Sequence, residues 1–517
     1  MQTAIFNPEN PAGENTSATG PDFAHPWLSD QGDGTYHNPV LHADYADPDV
    51  IRVGDDFYLV ASSFNCTPGL PILHSLDLVN WTLIGHALKN LPHPRYEKVQ
   101  SGEGVWAPTI RFHAGQYWIF YPTPDEGVFL VTASHPAGPW SEPHCVQAGR
   151  GLIDPCPLWD DDGRAYLVHA YAGSRAGIKH RLRVCPMAPD GSRLLGEGEI
   201  VFHQPEKHPI LEGPKFLKKD GWYYILAPAG GVETGWQVVL RSKNIYGPYE
   251  DKIVLSQGDT DINGPHQGAL VDTPRGGWWF LHFQDAGVYG RILHLQPVTW
   301  RDGWPLMGHN GEPVRRHGKP IFIRDQKPFM PQTSDEFDGR HLGLQWQWHA
   351  NHRDDWHSLT ARPGWLRLFP QPTTVSLNEQ PNLLLQKFPA RRFVVETTLE
   401  FSPRQRGEEA GLVVMGQSAV SLGLQHDGAK NLIVLRADGR QITISGTNSR
   451  MIKLRLDVMA GGQCSFGFSE NGDWVCLPQV FLARKGVWIG AKVGLYSTKQ
   501  VVAAPGGHVD FDCFRFT

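Results

Sequence analysis

The sequence predicts an all-β protein, a five-bladed β-propeller followed by a C-terminal β-sandwich of the jelly-roll or lectin-like kind. Three observations predict it. A strand–turn–strand motif recurs five times at a period of roughly 50 residues, the range of propellers and solenoids. Only 19% of the residues are charged while 11% are aromatic, with 56 Gly and 41 Pro, a balance suited to short strands and many turns. From about Ser334 the pattern changes to long alternating stretches, the signature of a half-buried antiparallel sheet.

The repeat begins with DPDVIRVGDDFYLVASSF from Asp47 and continues with APTIRFHAGQYWIFY from Ala107. DPCPLWDDDGRAYLVHAYA from Asp154, EGPKFLKKDGWYYILAPA from Glu212 and the more divergent HQGALVDTPRGGWWFLHFQD from His266 complete it. Each copy reads as a short strand, an Asp- or Gly-rich turn and an aromatic strand, which is a hairpin. The first, second, fourth and fifth copies are followed by a third strand and a closing turn. Five such units imply five blades, whose innermost strands line a central channel. The leading residues of the copies, Asp47, the pair Trp106-Ala107, Asp154, Glu212 and His266, are then expected to converge on one space.

Residues 35–320 are assigned to the propeller, after an N-terminal extension of residues 1–34. A Pro-rich, charged segment, RRHGKPIFIRDQKPFMPQTSDEF, reads as a linker centred on residues 321–333. Residues 334–517 form the sandwich, whose last strand, HVDFDCFRFT, alternates cleanly.

The 517 residues exceed what one core organises, in keeping with more than one domain. The formal net charge is −6 with no basic stripe, which argues against a nucleic-acid partner. No run of about 18 apolar residues suggests a membrane span. The N-terminal stretch lacks the basic and apolar regions of a signal peptide. The chain is therefore expected in the cytoplasm if it is full length, and secreted or periplasmic if a signal segment has been removed. Seven Cys at scattered spacings form neither a disulfide framework nor a zinc pattern and read as buried thiols. Asn65-Cys66-Thr67 and Asn80-Trp81-Thr82 match the glycosylation sequon, which matters only in a secreted protein. Nothing in the sequence sets the oligomeric state.

The three acids carry the chemistry. Hydrolysis of a glycosidic bond needs one acid to protonate the leaving oxygen and one carboxylate to activate water or attack the sugar, held in different protonation states at one pH. Glu212 follows Ile210 and Leu211, an apolar setting that favours its protonated form and the role of general acid. Asp47 lies in the polar turn YADPDV and suits the ionised base. Asp154 is a third acid facing the same space. Its charge would raise the proton affinity of Glu212 by repulsion and orient it.

These residues carry a family resemblance. NPVLHADYADPDVIRVGDDFYLVASSF, PGLPILHSLDLVNW, GVWAPTIRF, DPCPLWDDDGRAYLV, LEGPKFLKKDGWYYIL and GRILHLQPVTW together resemble glycoside hydrolase family 43, in its branch of exo-acting β-xylosidases and α-L-arabinofuranosidases. The C-terminal part is similar to the β-sandwich appended in that branch. The resemblance implies an inverting mechanism with Asp47 as general base, Glu212 as general acid and Asp154 as the acid that tunes and orients the donor. Inverting pairs stand about 6.5–9.5 Å apart to admit a water. Arg291 matches an arginine that reaches into the sugar subsite, where it would pair with Asp154 and bond a sugar hydroxyl. Phe64 and Trp106 match aromatic walls for the C–H faces of a sugar. His266 matches a histidine at the cavity floor that contacts substrate and, in some relatives, calcium or another ion; no cofactor is otherwise required. Trp488, in GVWIGAKVGLYS, is a candidate for an aromatic that the sandwich brings to the mouth of the site, against the alternative of a sandwich core residue.

The resemblance thus implies an exo-hydrolase releasing β-D-xylose from xylo-oligosaccharides or arabinoxylan fragments. The alternative is removal of α-L-arabinofuranosyl side chains, alone or as a second activity. The competing class is a non-catalytic carbohydrate-binding protein, which the presence of all three acids disfavours. A fructan-cleaving propeller is set aside because its NDPNG-like and RDP signatures are missing.

Overall fold

The computed structural model describes residues 26–373, 376–437, 439–500 and 505–517. Five four-stranded antiparallel sheets, each ordered as its strands follow in sequence, form the blades of a propeller. Blade I comprises Asp49–Val53, Asp56–Val60, Gly69–Ser75 and Thr82–Leu88. Blade II runs from Thr109–His113 to His144–Ala148, blade III from Leu152–Trp159 to Glu199–Phe202, blade IV from Lys215–Lys219 to Glu250–Leu255 and blade V from His266–Asp272 to Trp304–Met307. The repeated turns explain the hairpins. Ala114-Gly115 and Asp220-Gly221 both have positive φ, the two-residue geometry that follows the twist of paired strands.

Aromatic and β-branched side chains on the blade faces build five apolar clusters, one between each pair of neighbouring blades around the ring. The cluster between blades V and I also takes in Tyr36, Val40 and Leu41 of the N-terminal segment. Thr35–His37 pairs antiparallel with Arg316–Gly318, and Tyr36 Oη donates to Leu295 O at 2.8 Å. The two ends of the propeller are thereby tied together across blade V.

Residues 1–25 of the expected extension lie outside the described residues. From Trp27 the chain is fastened to the propeller, and Asp30 is buried against Lys319 and Asn80. The segment expected as a linker is fastened too. Its residues 316–318 are the strand just described, and Phe329 N donates to Asn80 Oδ1 at 3.0 Å.

The C-terminal part is a sandwich of an eight-stranded and a seven-stranded sheet. Alternation along Phe393–Ser402 and Met451–Met459 maps directly onto burial, and their inward faces join one continuous core. A second apolar cluster spans both domains, with Ala46 and Phe64 of the propeller packed against Leu383, Val413, Ile489 and Tyr496 of the sandwich.

The cysteines depart from expectation in part. All seven are free, but Cys145 and Cys476 are exposed rather than buried. Asn65 and Asn80 of the two sequons are buried, with hydrogen-bonded side chains, so the folded chain presents neither to a glycosylating enzyme. Among the described residues no helix is long and apolar enough to cross a membrane.

Candidate active site

Asp47, Trp106-Ala107, Asp154 and Glu212 line one cavity, whereas His266, expected to join them, is fully buried beside Glu212 and does not line it; nor are all the leading residues in the inner strands. Asp47 precedes its strand by two residues and Glu212 precedes its strand by three. Asp154 stands at a bulge between Ile153 and Cys156, and His266 opens its strand just before another. Each acid is thus placed where the ladder gives way to irregular backbone, which frees it from the inward–outward alternation of a regular strand. Asp47 and Asp154 both adopt positive φ directly before a proline. Among the described residues, seven of the fifteen non-glycine residues with positive φ line this cavity, namely Asp47, Phe64, Asp154, His180, Ile210, Gln267 and Trp488. Such conformations cost roughly 1–3 kcal/mol each and concentrate at functional sites.

The cavity holds about 810 Å³ of empty space, its open mouth included. One layer deeper in the channel, Arg111 Nη1 lies 2.7 Å from Asp49 Oδ2. Lys215 Nζ donates to Pro108 O and Thr109 Oγ1 at 2.7 Å each, and Arg111 Nη2 donates to Cys156 Sγ at 2.9 Å. Side chains of four blades are thereby linked to one another at the inner strands. A void of about 640 Å³ elsewhere between the domains, lined by Trp27, Tyr45 and Lys387 among others, has no carboxylate in its wall.

The three acids have distinct surroundings. Asp47 is buried, with Oδ1 2.6 Å from Arg291 Nη1 and Oδ2 accepting from Ser62 Oγ at 2.6 Å. One of these two short bonds is charge-assisted. The expected pairing of Arg291 with Asp154 is not what the structure has. Arg291 stands on the third strand of blade V, beside blade I in the closed ring, and reaches Asp47 instead. Asp154 Oδ2 accepts from the N–H of Gly213 at 2.7 Å, so it holds the backbone next to Glu212. Gly213 has φ +60°, and a Cβ there would meet Gln267 at 2.9 Å and Pro228 at 3.0 Å. Only glycine fits between the acid and Pro214.

Burial pushes Glu212 up to about 8, reinforced by the charges of Asp154 and Asp47 and opposed by Arg291 and Lys179. Its side chain is 28% exposed, because one edge opens to the cavity while protein surrounds the rest. Leu211 contributes to that burial, whereas Ile210, expected to do the same, is 37% exposed at the rim. Burial raises Asp154 to about 6; the Gly213 N–H opposes this and the charge of Asp47 adds to it. At neutral pH the proton resides on Glu212.

His266 is fully buried, 3.5 Å from Glu212 Oε1 and packed near Phe283. Burial, then the charge of Arg291, lowers it to about 3, so this is a contact between neutral groups. Both ring nitrogens lack a protein hydrogen-bond partner. Calcium takes six to eight oxygen ligands, and this corner offers an imidazole and one protonated carboxyl. Among the described residues no group of three or more His, Cys, Asp or Glu is arranged to hold a metal.

Phe64 and Trp106 line the pocket as expected. Trp106 Nε1 donates to Gly102 O at 2.9 Å, and the Arg175 guanidinium lies 5.3 Å over its ring. Trp488 is 48% exposed, edge-on to Trp106 at 6.3 Å. It lines the pocket and is not a core residue of the sandwich. Asp44 Oδ1 accepts from Arg291 N and its Oδ2 from Gly490 N, each at 2.9 Å. One carboxylate thus ties the loop of Trp488 to the backbone of Arg291. Sequence reading also missed Lys179 and His180, which line the pocket from segment 172–181 of blade III. The unusual length of that connection, which hid the third strand of its repeat, was the available signal.

A propeller pocket with three converging acids, one raised towards its protonated form and one paired with arginine, offers the two carboxylate roles that glycoside hydrolysis needs. The chain belongs to glycosyl hydrolases family 43, whose model matches residues 36–305; a second model, the beta xylosidase C-terminal concanavalin A-like domain, matches residues 334–517. A beta-xylosidase of Formosa agariphila is 33% identical over 550 residues, covering 94% of this chain and 91% of that one. A non-reducing end α-L-arabinofuranosidase of Bacteroides ovatus is 34% identical over 406 residues, covering 74% and 73%. The structure of a xylan β-1,4-xylosidase from Bacillus halodurans superposes with a TM-score of 0.82 at 26% identity, over 93% of this chain and 99% of that one.

Proposed function

We propose that the protein is an exo-acting, inverting β-xylosidase that removes single D-xylose units from the non-reducing ends of xylo-oligosaccharides. The observation that carries the reading is the split between two carboxylates of one pocket. Glu212 is pushed up to about 8, while Asp47 is bound by Arg291 and Ser62 at 2.6 Å each. In this reading Asp47 takes a proton from water as it attacks the anomeric carbon, and Glu212 gives its proton to the departing oxygen. Asp154 holds the Gly213 backbone and, by its charge, keeps the proton on Glu212. Arg291 holds Asp47 in place by their ion pair and has further donors for a sugar hydroxyl. Phe64 and Trp106 supply flat apolar walls, and His266 backs Glu212 from 3.5 Å away. No step is assigned to a metal, and the groups around His266 do not supply the oxygen ligands calcium takes.

In the division of labour proposed here, residues 35–320 carry the chemistry, 321–333 strap the two domains together, and 334–517 supply one wall of the mouth. The second reading, release of α-L-arabinofuranose, is favoured by the Bacteroides ovatus relative and shares the same machinery. Initial rates on 4-nitrophenyl β-D-xylopyranoside and α-L-arabinofuranoside test the choice. A higher kcat/KM on the xyloside is expected, and the reverse order would make the arabinoside the principal substrate. No turnover of either, with sugar binding retained, would make the protein a binding module.

A further inference from the structure

The void of about 640 Å³ between the domains shares no lining residue with the catalytic pocket. The N-terminal segment and blade I line it with His42, Tyr45 and His86, and the sandwich lines it with Gln345, Gln386 and Lys387. Residues 329–333 of the strap complete the wall. We propose that this void is a binding site for a small organic carboxylate, a molecule with one acidic group and an apolar body. Such a site stands apart from the glycosidase reading above.

Three features point to that chemistry. The first is unmet hydrogen bonding. His42 Nε2, His86 Nδ1, Gln345 Oε1 and Gln386 Nε2 are buried atoms without a hydrogen-bond partner, and all four side chains line this one cavity. Buried polar groups are ordinarily satisfied, and His42 and Gln386 are only 2% and 3% exposed. Burial keeps both imidazoles neutral near pH 7, His42 lowered to about 4 and His86 to about 3. Each therefore has a ring N–H to give, as Gln386 Nε2 does, and a carboxylate accepts from such donors. Gln345 Oε1 suits a hydroxyl on the body of the ligand. The second feature is charge. Lys387 Nζ donates to Gln347 Oε1 at 3.0 Å and lies 5.0 Å over the Tyr45 ring, while Lys492 Nζ reaches the same amide oxygen at 3.5 Å. No carboxylate lines the cavity. Asp44, whose charge is felt at Lys387, has its two oxygens engaged by Arg291 N and Gly490 N. One acid against two ammonium groups leaves a positive excess. Burial, then the charge of Lys492, lowers Lys387 to about 8, and an anion beside it would restore its charged form. The third feature is the apolar remainder of the wall, Leu41, Pro71, Leu83 and Phe329 among it, which suits an aliphatic or aromatic body and not a bare inorganic ion.

Calorimetric titration of the full chain with benzoate, 4-hydroxybenzoate and acetate tests the site, with benzyl alcohol and inorganic phosphate as contrasts. Saturable binding of the aromatic carboxylates is expected, with benzyl alcohol about tenfold weaker or more, the worth of one charge-assisted hydrogen bond. Lys387→Met removes the ammonium and should weaken benzoate by the same factor while leaving benzyl alcohol unchanged. Gln386→Leu is the second variant. It deletes an amide whose Nε2 has no partner in the fold, so it should not lower the melting temperature of the free protein, yet it should weaken benzoate severalfold. Benzoate should raise the melting temperature of wild type and not that of Lys387→Met. The site is overturned if no carboxylate binds, if benzyl alcohol or phosphate binds as tightly as benzoate, or if both variants bind benzoate at full strength. The last outcome would place the anion elsewhere on the molecule.

Discussion

Burial, then the neighbouring charges of Asp154 and Asp47, raise Glu212 above the ordinary glutamate range, and the Gly213–Asp154 bond fixes the backbone beside it. The acid motif was legible in the sequence because Asp-Pro and Glu-Gly-Pro recur at matched repeat positions. The partner of Arg291 was not, because the link to Asp47 depends on how the ring closes between blades V and I. Replacing Glu212 by Gln is expected to lower kcat roughly 10²- to 10⁴-fold on poor leaving groups and much less on activated aryl xylosides; equal losses on both would contradict the acid role. The same variant should show the sign of the linkage. A carboxyl raised by folding favours the fold while protonated, so its contribution is full below the ordinary glutamate range and lost as pH rises through about 8. Melting temperatures of wild type and Glu212→Gln, measured from pH 4 to 9, should therefore diverge upward in favour of the variant as pH rises.

At the scale of elements, the hairpins were readable from their Asp-Gly and Ala-Gly turns, and the sandwich strands from alternation. Less readable were the irregular segments that finish the site. Segment 172–181 is longer than the matching connection of any other blade, and the 485–490 loop contributes through contacts nearly the whole chain apart in sequence. Asp44 is where these elements are joined, since one buried carboxylate accepts from Arg291 N and Gly490 N. Asp44→Ala leaves two buried N–H groups without partners and releases both Arg291 and the Trp488 loop. It is expected to lower kcat/KM roughly ten- to a hundredfold on aryl and oligosaccharide substrates alike, as misplaced groups do. A variant that melts earlier but keeps wild-type kinetics at a temperature where it is folded would show that the bond is only structural.

Across the whole molecule, the propeller supplies the acids and the sandwich completes the mouth. The apolar cluster joining Ala46 and Phe64 to Leu383, Val413, Ile489 and Tyr496 places the domain interface directly behind the pocket wall. The division into two folds was legible from the change of period near Ser334. Their contact was not, because a half-exposed tryptophan and a core tryptophan look alike in a strand pattern. In the proposed reading hydrolysis proceeds one end unit at a time, with water approaching from the side opposite the leaving group. Time-resolved proton NMR of xylotriose hydrolysis tests this account most directly. The expected first products are xylobiose and α-D-xylose, which then mutarotates; initial release of β-D-xylose would contradict the mechanism.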